Sequence, residues 1–308
     1  MTEFLIRRIA QAVFVVWGAL TITFVIVRLV PGDPAAMMLG PFSDEAQRAV
    51  LRSRLGLDDS VLLQYGRYLL DAVQGDFGES FRLGGSAMSA VLDAVPATAV
   101  LAVAAMLVTT ALSLPLGITA ARHPNGPIDR LVSAASMVGQ ALPQFWVGIM
   151  LILVFAGALG LFPTSGAGSV RSLVLPAIAL ALPYVGWLAR LVRAGVLDEL
   201  GADYVRTARS KGIAERAVFY AHVLRNALVP VVTAGALVLG VFLGGAVIIE
   251  VVFAWPGVGK LLIDSISYRD YSVVQAAVVL IAVTYALLNL AVDLVYGYLD
   301  PRIRVGGV

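Results

Sequence analysis

Residues 97–121 read ATAVLAVAAMLVTTALSLPLGITAA, a run without a single charged side chain. A helix that crosses a bilayer needs about 20 consecutive, mainly apolar residues. A central Asp, Lys or Arg costs such a helix about 2.5–3.5 kcal/mol, so a charge-free run of this length is what insertion selects. A buried helix of a large soluble protein would show a polar stripe at the helical period, and none is present. Working outward, five further segments qualify on the same grounds: 9–30, 131–161, 173–191, 227–249 and 273–294. Proline interrupts several of them, at Pro115, Pro143, Pro176, Pro183 and Pro230. Such breaks are tolerated where neighbouring helices or a wet cavity satisfy the freed carbonyls. The reading is an all-α membrane protein with six transmembrane helices and a single transmembrane domain over 1–308.

Composition agrees. Of 308 residues, 59% are hydrophobic and 14% charged, and the mean hydropathy is +0.89, far from the balance of soluble domains. A net charge of +2 is too small to indicate a nucleic-acid partner. With no cysteine, disulfides, thiolate catalysis and thiolate metal sites are excluded. His123 and His222 stand far apart with no clustered carboxylates, so no metal site is expected. Arg7 and Arg8 before an apolar run mimic a signal peptide. The run from Ile9 to Val27 exceeds the roughly 7–15 residues of a signal core, so a retained first span is expected.

Lys and Arg set the orientation. Arg7, Arg8, Arg122, Arg130, Arg302, Arg304 and the basic cluster from Arg190 to Arg225 fall on one side of six spans. The opposite side holds residues 31–96, which carry more acids than bases. By the positive-inside rule both termini are cytoplasmic and 31–96 is an external insertion. Within it, 43–54 and 60–73 pattern as short amphipathic helices separated by a break at 55–59. The second polar insertion, 191–226, is cytoplasmic.

That insertion contains Asp203-Tyr204-Val205-Arg206-Thr207-Ala208-Arg209-Ser210-Lys211-Gly212-Ile213, and then Glu215-Arg216 and His222-Val223-Leu224-Arg225-Asn226-Ala227. It reads as a short helix, a glycine turn and a second helix entering the fifth span. Tyr204, Ala208 and Lys211 recur at helical spacing. Ala208 is small enough for a partner to approach closely, and Gly212 supplies a turn conformation that side chains resist. Spacing alone leaves an ordinary basic loop as an equal alternative.

Glu250 at the outer end of the fifth span has two readings, a place in a translocation pathway or a cap on the following loop. Gly240 and Gly244, four apart, permit close helix approach, either between subunits or toward a substrate. Asn289 and Asp293 share a face of the last span and suit interhelical hydrogen bonds. Gly257-Val258-Gly259-Lys260 is no phosphate-binding loop, because Ala254 and Leu261 stand where that motif needs Gly and Ser or Thr. No hydrolase or metalloprotease signature is present. Catalytic residues are therefore none.

The 203–213 stretch resembles the docking loop of ABC importer permeases. Of its general Glu-Ala-Ala pattern only Ala208, Gly212 and Leu224 remain, and Arg206 stands where the Glu would be. The variant seen in peptide-type permeases, Tyr-x-Arg-Thr-Ala-Arg-x-Lys-Gly with a later Leu-Arg-Asn-Ala, is nearly complete. Three further stretches resemble the same family in the expected order. They are Arg7-Arg8 through Arg28-Leu29-Val30-Pro31-Gly32-Asp33-Pro34; Arg54-Leu55-Gly56-Leu57-Asp58 with Gln64-Tyr65 and Gly75-Asp76-Phe77-Gly78; and Glu250 through Lys260 with Arg269-Asp270-Tyr271. Together they cover essentially the whole chain. The match is to the dipeptide/oligopeptide/nickel family, B-type subunit.

The resemblance implies a type I ABC importer permease fold and half of a translocation pathway. It also implies a C-type permease partner, two cytoplasmic ATPase subunits or domains that hold ATP and Mg, and an extracytoplasmic substrate-binding protein. Asp203, Tyr204, Arg206, Thr207, Ala208, Lys211 and Gly212 would form the ATPase-docking loop of a multi-pass protein in a bacterial or archaeal cytoplasmic membrane. Short peptides are the expected cargo, with nickel chelate, haem or glutathione as alternatives. A secondary transporter acting alone would need paired ionisable residues at midspan and internal repeats; neither is evident.

Overall fold

The computed structural model describes residues 2–29, 39, 44–54 and 56–299. Pro31, Gly32, Asp33 and Pro34, Ser43, Leu55, Arg302 and Arg304 lie outside them, as does the side chain of Asp293. The described residues are helical almost throughout, and they divide into two compact units, 1–96 with 261–286 and 97–260 with 287–308.

In the first unit, α1 (Thr2–Leu29) is the first apolar helix, followed by α2 (Glu45–Arg54) and α3 (Val61–Val73). The two short helices occupy the segments the amphipathic pattern marked, and glycine ends each one. Gly56 (φ 63°) follows α2, and Gly75 (φ 76°) follows α3. At both, the glycine N–H and the next residue's N–H bond back to the last-turn carbonyls, Gly56 to Ser53 and Leu57 to Arg52, Gly75 to Ala72 and Asp76 to Asp71. This double bond pattern needs a left-handed residue, which glycine adopts without a Cβ penalty. Tyr65 of α3 meets the Thr21 hydroxyl at 2.7 Å, and the rings of Tyr65 and Tyr68 both pack on Phe24. Elsewhere in this unit, buried Asp270 accepts a 2.5 Å hydrogen bond from Ser80, 190 positions away in the chain.

The second unit is built around α7 (Val170–Leu200). It packs against α5 (Pro127–Ala141), α6 (Gln144–Leu151) and α10 (Leu224–Gly245), and against the inner part of α4 (Ala87–Arg122). Small residues let the backbones close in. A Cβ at Gly117 of α4 would come within 2.5 Å of the Ala189 carbonyl, and one at Gly186 within 2.5 Å of the Ser136 backbone. One at Gly195 would come within 3.0 Å of the Ala227 carbonyl. In lipid, where burial against another apolar helix gains little, such close van der Waals contact is the main source of helix association. Leu101, Leu175, Leu180, Phe242, Ile249 and Phe253 fill one buried cluster; a second surrounds Val192, Val196 and Phe219.

Among the described residues, five helices are long and apolar enough to cross a membrane, and α5 and α6 with the segment after it make a further candidate only as a pair bent by 104°. The expected continuous span 131–161 is thus broken. The break falls at Leu142 and Pro143, both extended (ψ 130° and 131°), because proline disfavours helical geometry in the residue before it. After it, Ile152–Ala158 winds as a π-helix. The other intramembrane prolines, Pro115, Pro176, Pro183 and Pro230, sit inside continuous helices.

A charged pair lies between two of the packed helices of this unit. Asp129 of α5 is 4% exposed and faces Arg193 of α7 with Nε to Oδ1 at 2.5 Å and Nη2 to Oδ2 at 2.8 Å. The Asn125 N–H donates to the same carboxylate at 2.8 Å. Removing one partner strands the other charge among packed helices. Asp129→Ala should therefore lower the Tm in detergent by more than the double change Asp129→Ala with Arg193→Met. Equal losses would mean that the pair carries no such strain.

Candidate functional site

The polar insertion 191–226 begins as α7 ends at Leu200 and turns into α8 (Asp203–Ser210). Asp203 in the first turn of α8 suits the positive end of the helix dipole. Only Val205 and Ala208 of α8 turn inward. They join Leu188, Val192 and Val196 of α7 and Val218, Phe219 and Val223 of the π-helical segment Val218–Val223. The smallness of Ala208 thus admits the chain's own following segment. The outward face is left to Asp203, Tyr204, Arg206, Thr207 and Lys211, all exposed. Arg206 and Asp203 keep 80% and 95% side-chain exposure, and their 3.6 Å ion pair adds little stability.

Gly212 ends α8 at φ 74°, its N–H bonding to the Arg209 carbonyl (2.9 Å) while the Ile213 N–H reaches Ala208 (3.3 Å). The turn is clamped from outside by Arg209, which grips Glu215 with two bonds, Nε at 3.0 Å and Nη2 at 2.6 Å. Being bidentate, that pair fixes geometry more than it adds stability. Glu215 opens α9 (Glu215–Ala217), which passes through the π segment into α10. Tyr204 donates to Glu199 and accepts from Asn226 Nδ2 at 3.1 Å, joining three elements. Partial burial, and then the Glu199 carboxylate, push the Tyr204 phenol upward, so it remains a protonated donor at neutral pH. The Arg122 guanidinium lies 4.0 Å from the Phe219 ring centre, the strong range for cation–π attraction.

Sequence reasoning located the helix and its turn but not these supports. Arg209 and Glu215 straddle Gly212, a charge pairing that could have been read. Tyr204 and Asn226 are 22 residues apart and Arg122 is remote from Phe219, so no local period marks either contact.

The other candidates lie elsewhere in the second unit. Glu250, in α11 (Val247–Val252), is 0% exposed. Its carboxylate accepts from the Thr98 hydroxyl at 2.6 Å and the Lys260 N–H at 3.0 Å. Thr98 in turn accepts the Val258 N–H at 2.9 Å, and the Trp255 indole donates to the Ala97 carbonyl at 2.8 Å. The carboxylate therefore sits at the N-terminus of α12 (Val258–Tyr268), where free N–H groups and the dipole favour an anion. A Cβ at Gly257 would overlap that carboxylate, and one at Gly259 would come within 2.5 Å of the Val247 Cα. The likeness of residues 257–260 to a phosphate loop has this physical basis: glycines bare the backbone for an oxygen acceptor, and that acceptor is the Glu250 carboxyl group. Gly240 is buried, with room for a methyl beside Leu288 at 3.9 Å, and Gly244 is half-buried. The structure does not bring Gly240, Gly244 and Glu250 together with the α8 face into one site.

Overpacking of this kind costs about 1–3 kcal/mol, so Gly257→Ala should lower the Tm clearly. Glu250→Gln sets an NH2 group against Thr98 or the Lys260 N–H and should cost about 1–3 kcal/mol. A Glu250→Gln protein with unchanged Tm but altered transport would instead return this residue to the pathway.

Two family models match the chain. Residues 113–305 match the binding-protein-dependent transport system inner membrane component, and residues 1–102 match the N-terminal part of such membrane components. Among curated relatives, the oligopeptide transport system permease protein AppB of Bacillus subtilis (strain 168) is 38% identical over 315 residues, covering 99% of this chain and 100% of its own. The di/tripeptide transport system permease protein DppB of Pseudomonas aeruginosa (strain UCBPP-PA14) is 38% identical, with 99% of each chain covered. The glutathione transport system permease protein GsiC of Escherichia coli O1:K1 / APEC is also 38% identical with 99% of each covered. Among solved structures, the inward-facing MetNI methionine ABC transporter matches at a TM-score of 0.52 and 20% identity, over 70% of this chain and 96% of that one. An amino acid ABC transporter solved with histidines matches at 0.53 and 17%, over 67% and 92%. These two likenesses carry the fold alone. On the family models and the near full-length relatives, the chain belongs to the binding-protein-dependent transport system inner membrane components, the permease subunits of ABC importers.

Proposed function

We propose that this chain forms half of the translocation pathway of an ATP-driven importer of short peptides, with α8 as the element that receives the ATPase. Family membership implies ATPase subunits and a partner permease. The finer assembly is part of the proposal: a C-type permease, two ATPase subunits or domains holding ATP and Mg, and an external binding protein. Peptides are favoured because the names of AppB and DppB refer to oligopeptides and di- and tripeptides; GsiC keeps glutathione, itself a small peptide, in the same class. Six spans, with the bent α5–α6 pair as one, put both termini in the cytoplasm and α2 and α3 outside. The bacterial relatives support a bacterial inner membrane.

The observation that carries the docking role is the division of α8. One face is locked into the chain's own core through Val205 and Ala208, while Asp203, Tyr204, Arg206, Thr207 and Lys211 face outward. Gly212 and the Arg209–Glu215 clamp hold α8 at a fixed angle to α9. A push on α8 is therefore passed through the π segment into α10 and α7. ATP-driven closure can shift access only so far as the ATPase contacts this face differently in the two states.

Reversing the charge of Arg206 and Lys211 together, Arg206→Glu with Lys211→Glu, alters only exposed side chains. The expected result is loss of the co-purifying ATPase and of ATP-dependent uptake, with the chain still inserted and its Tm unchanged. ATPase retained at the normal ratio would remove α8 as the docking element.

A further inference from the structure

The exposed surface of α3 is split by chemistry. With about 100° between successive residues of a helix, Leu62, Val73, Gly66, Leu70 and Leu63 fall within one arc, and Arg67, Asp71 and Gln64 in another. The third side carries Tyr65 and Tyr68, which pack on α1. The apolar arc is bare: Leu62 is 83% exposed, Leu70 66% and Val73 86%. The polar arc is tied to the preceding turn, Arg67 to Asp59, and Gln64 to the Leu57 and Asp59 carbonyls.

The anchoring point fixes the depth. Thr21 and Phe24 lie within the apolar run of α1, and Thr21 is eight residues short of the helix end at Leu29, about 12 Å at 1.5 Å per residue. Around them α1 exposes Ile22, Val25 and Ile26. Where a membrane-crossing helix presents such a surface, lipid covers it, and α3 is held against the same stretch of α1 by Tyr65 and Tyr68. Arg28, 4.8 Å from the Phe24 ring and near the end of α1, suits the headgroup level.

We infer that α3 is an interfacial helix whose Leu62, Leu70 and Val73 are inserted into the acyl boundary of the bilayer, with Arg67 and Asp71 in water. A helix with one apolar and one charged face lies in the interface plane in this way. The occupant of the apolar arc is phospholipid; the inference requires only that α1 crosses the membrane. The rival occupant is a soluble protein docking on the arc.

Because the chain has no cysteine, single cysteines report without background. Leu62→Cys, Leu70→Cys and Val73→Cys, with Asp71→Cys for comparison, are labelled with bimane in the full chain with its co-purifying subunits in lipid nanodiscs. The expected result is blue-shifted emission at 62, 70 and 73, quenched by phospholipid spin-labelled near the top of the acyl chain and not by iodide. Position 71 gives the reverse pattern. Iodide quenching at 62, 70 and 73 would overturn the inference. Iodide quenching there that disappears only when the soluble binding protein is added would overturn it in favour of a protein-docking arc.

Discussion

Close approach at α7 is the constraint on which the second unit depends. Gly117, Gly186 and Gly195 stand where three neighbouring helices cross it, and each faces backbone atoms that a methyl group would strike. Lipid tails are as apolar as leucine, so little is gained by hiding one apolar helix against another. Contact distance matters instead. The cores on either side of these crossings can be large, as at Phe242 and Phe253, because the backbones near the glycines have already been brought together. The Asp129–Arg193 pair lies on the same α5–α7 contact as Gly186 and adds direction to it.

Helix ends are the second recurring problem, since each leaves free N–H or carbonyl groups. The chain solves it with turns and with carboxylates. Gly56, Gly75 and Gly212 close α2, α3 and α8 in the same left-handed way, while Ala254 and Arg269 adopt positive φ at 48° and 61° without being glycine. The latter two follow α11 and α12, next to the buried Glu250 and Asp270. Local strain at a non-glycine left-handed residue is tolerated where the surroundings fix it: the Trp255 N–H after Ala254 bonds to the Glu250 carbonyl, and Asp270, held by the Ser80 hydroxyl, follows Arg269.

Most of the helical plan was legible in the sequence because lipid makes spans simple: long, apolar and nearly free of charge. The segments at 97–121, 173–191 and 273–294 each lie in a helix that extends beyond them, while 227–249 runs through α10 and, past a turn at Ala246, into α11. The exception was 131–161, where composition alone cannot show whether a proline bends or breaks a helix; Pro143 breaks it, and Pro176 and Pro183 do not. Gly212 was readable because a left-handed turn selects glycine. The inward rotation of Ala208 was not, since spacing places a residue on a face without saying which side is covered. Glu250 carried two readings from its position alone, and only the distant Thr98 and the backbone of 258–260 decide which groups meet it.

The corner between α5 and α6 has a bearing on what surrounds it. A chain that turns by 104° leaves its last carbonyls and first amides without partners along their own axis. Hydrocarbon offers neither donor nor acceptor, so a corner at that depth cannot face the lipid tails. It must be turned toward other helices or toward water. Within the second unit, the corner is thus a surface that hydrocarbon cannot cover, unlike the bare apolar side chains Val100, Val103 and Leu107 of α4.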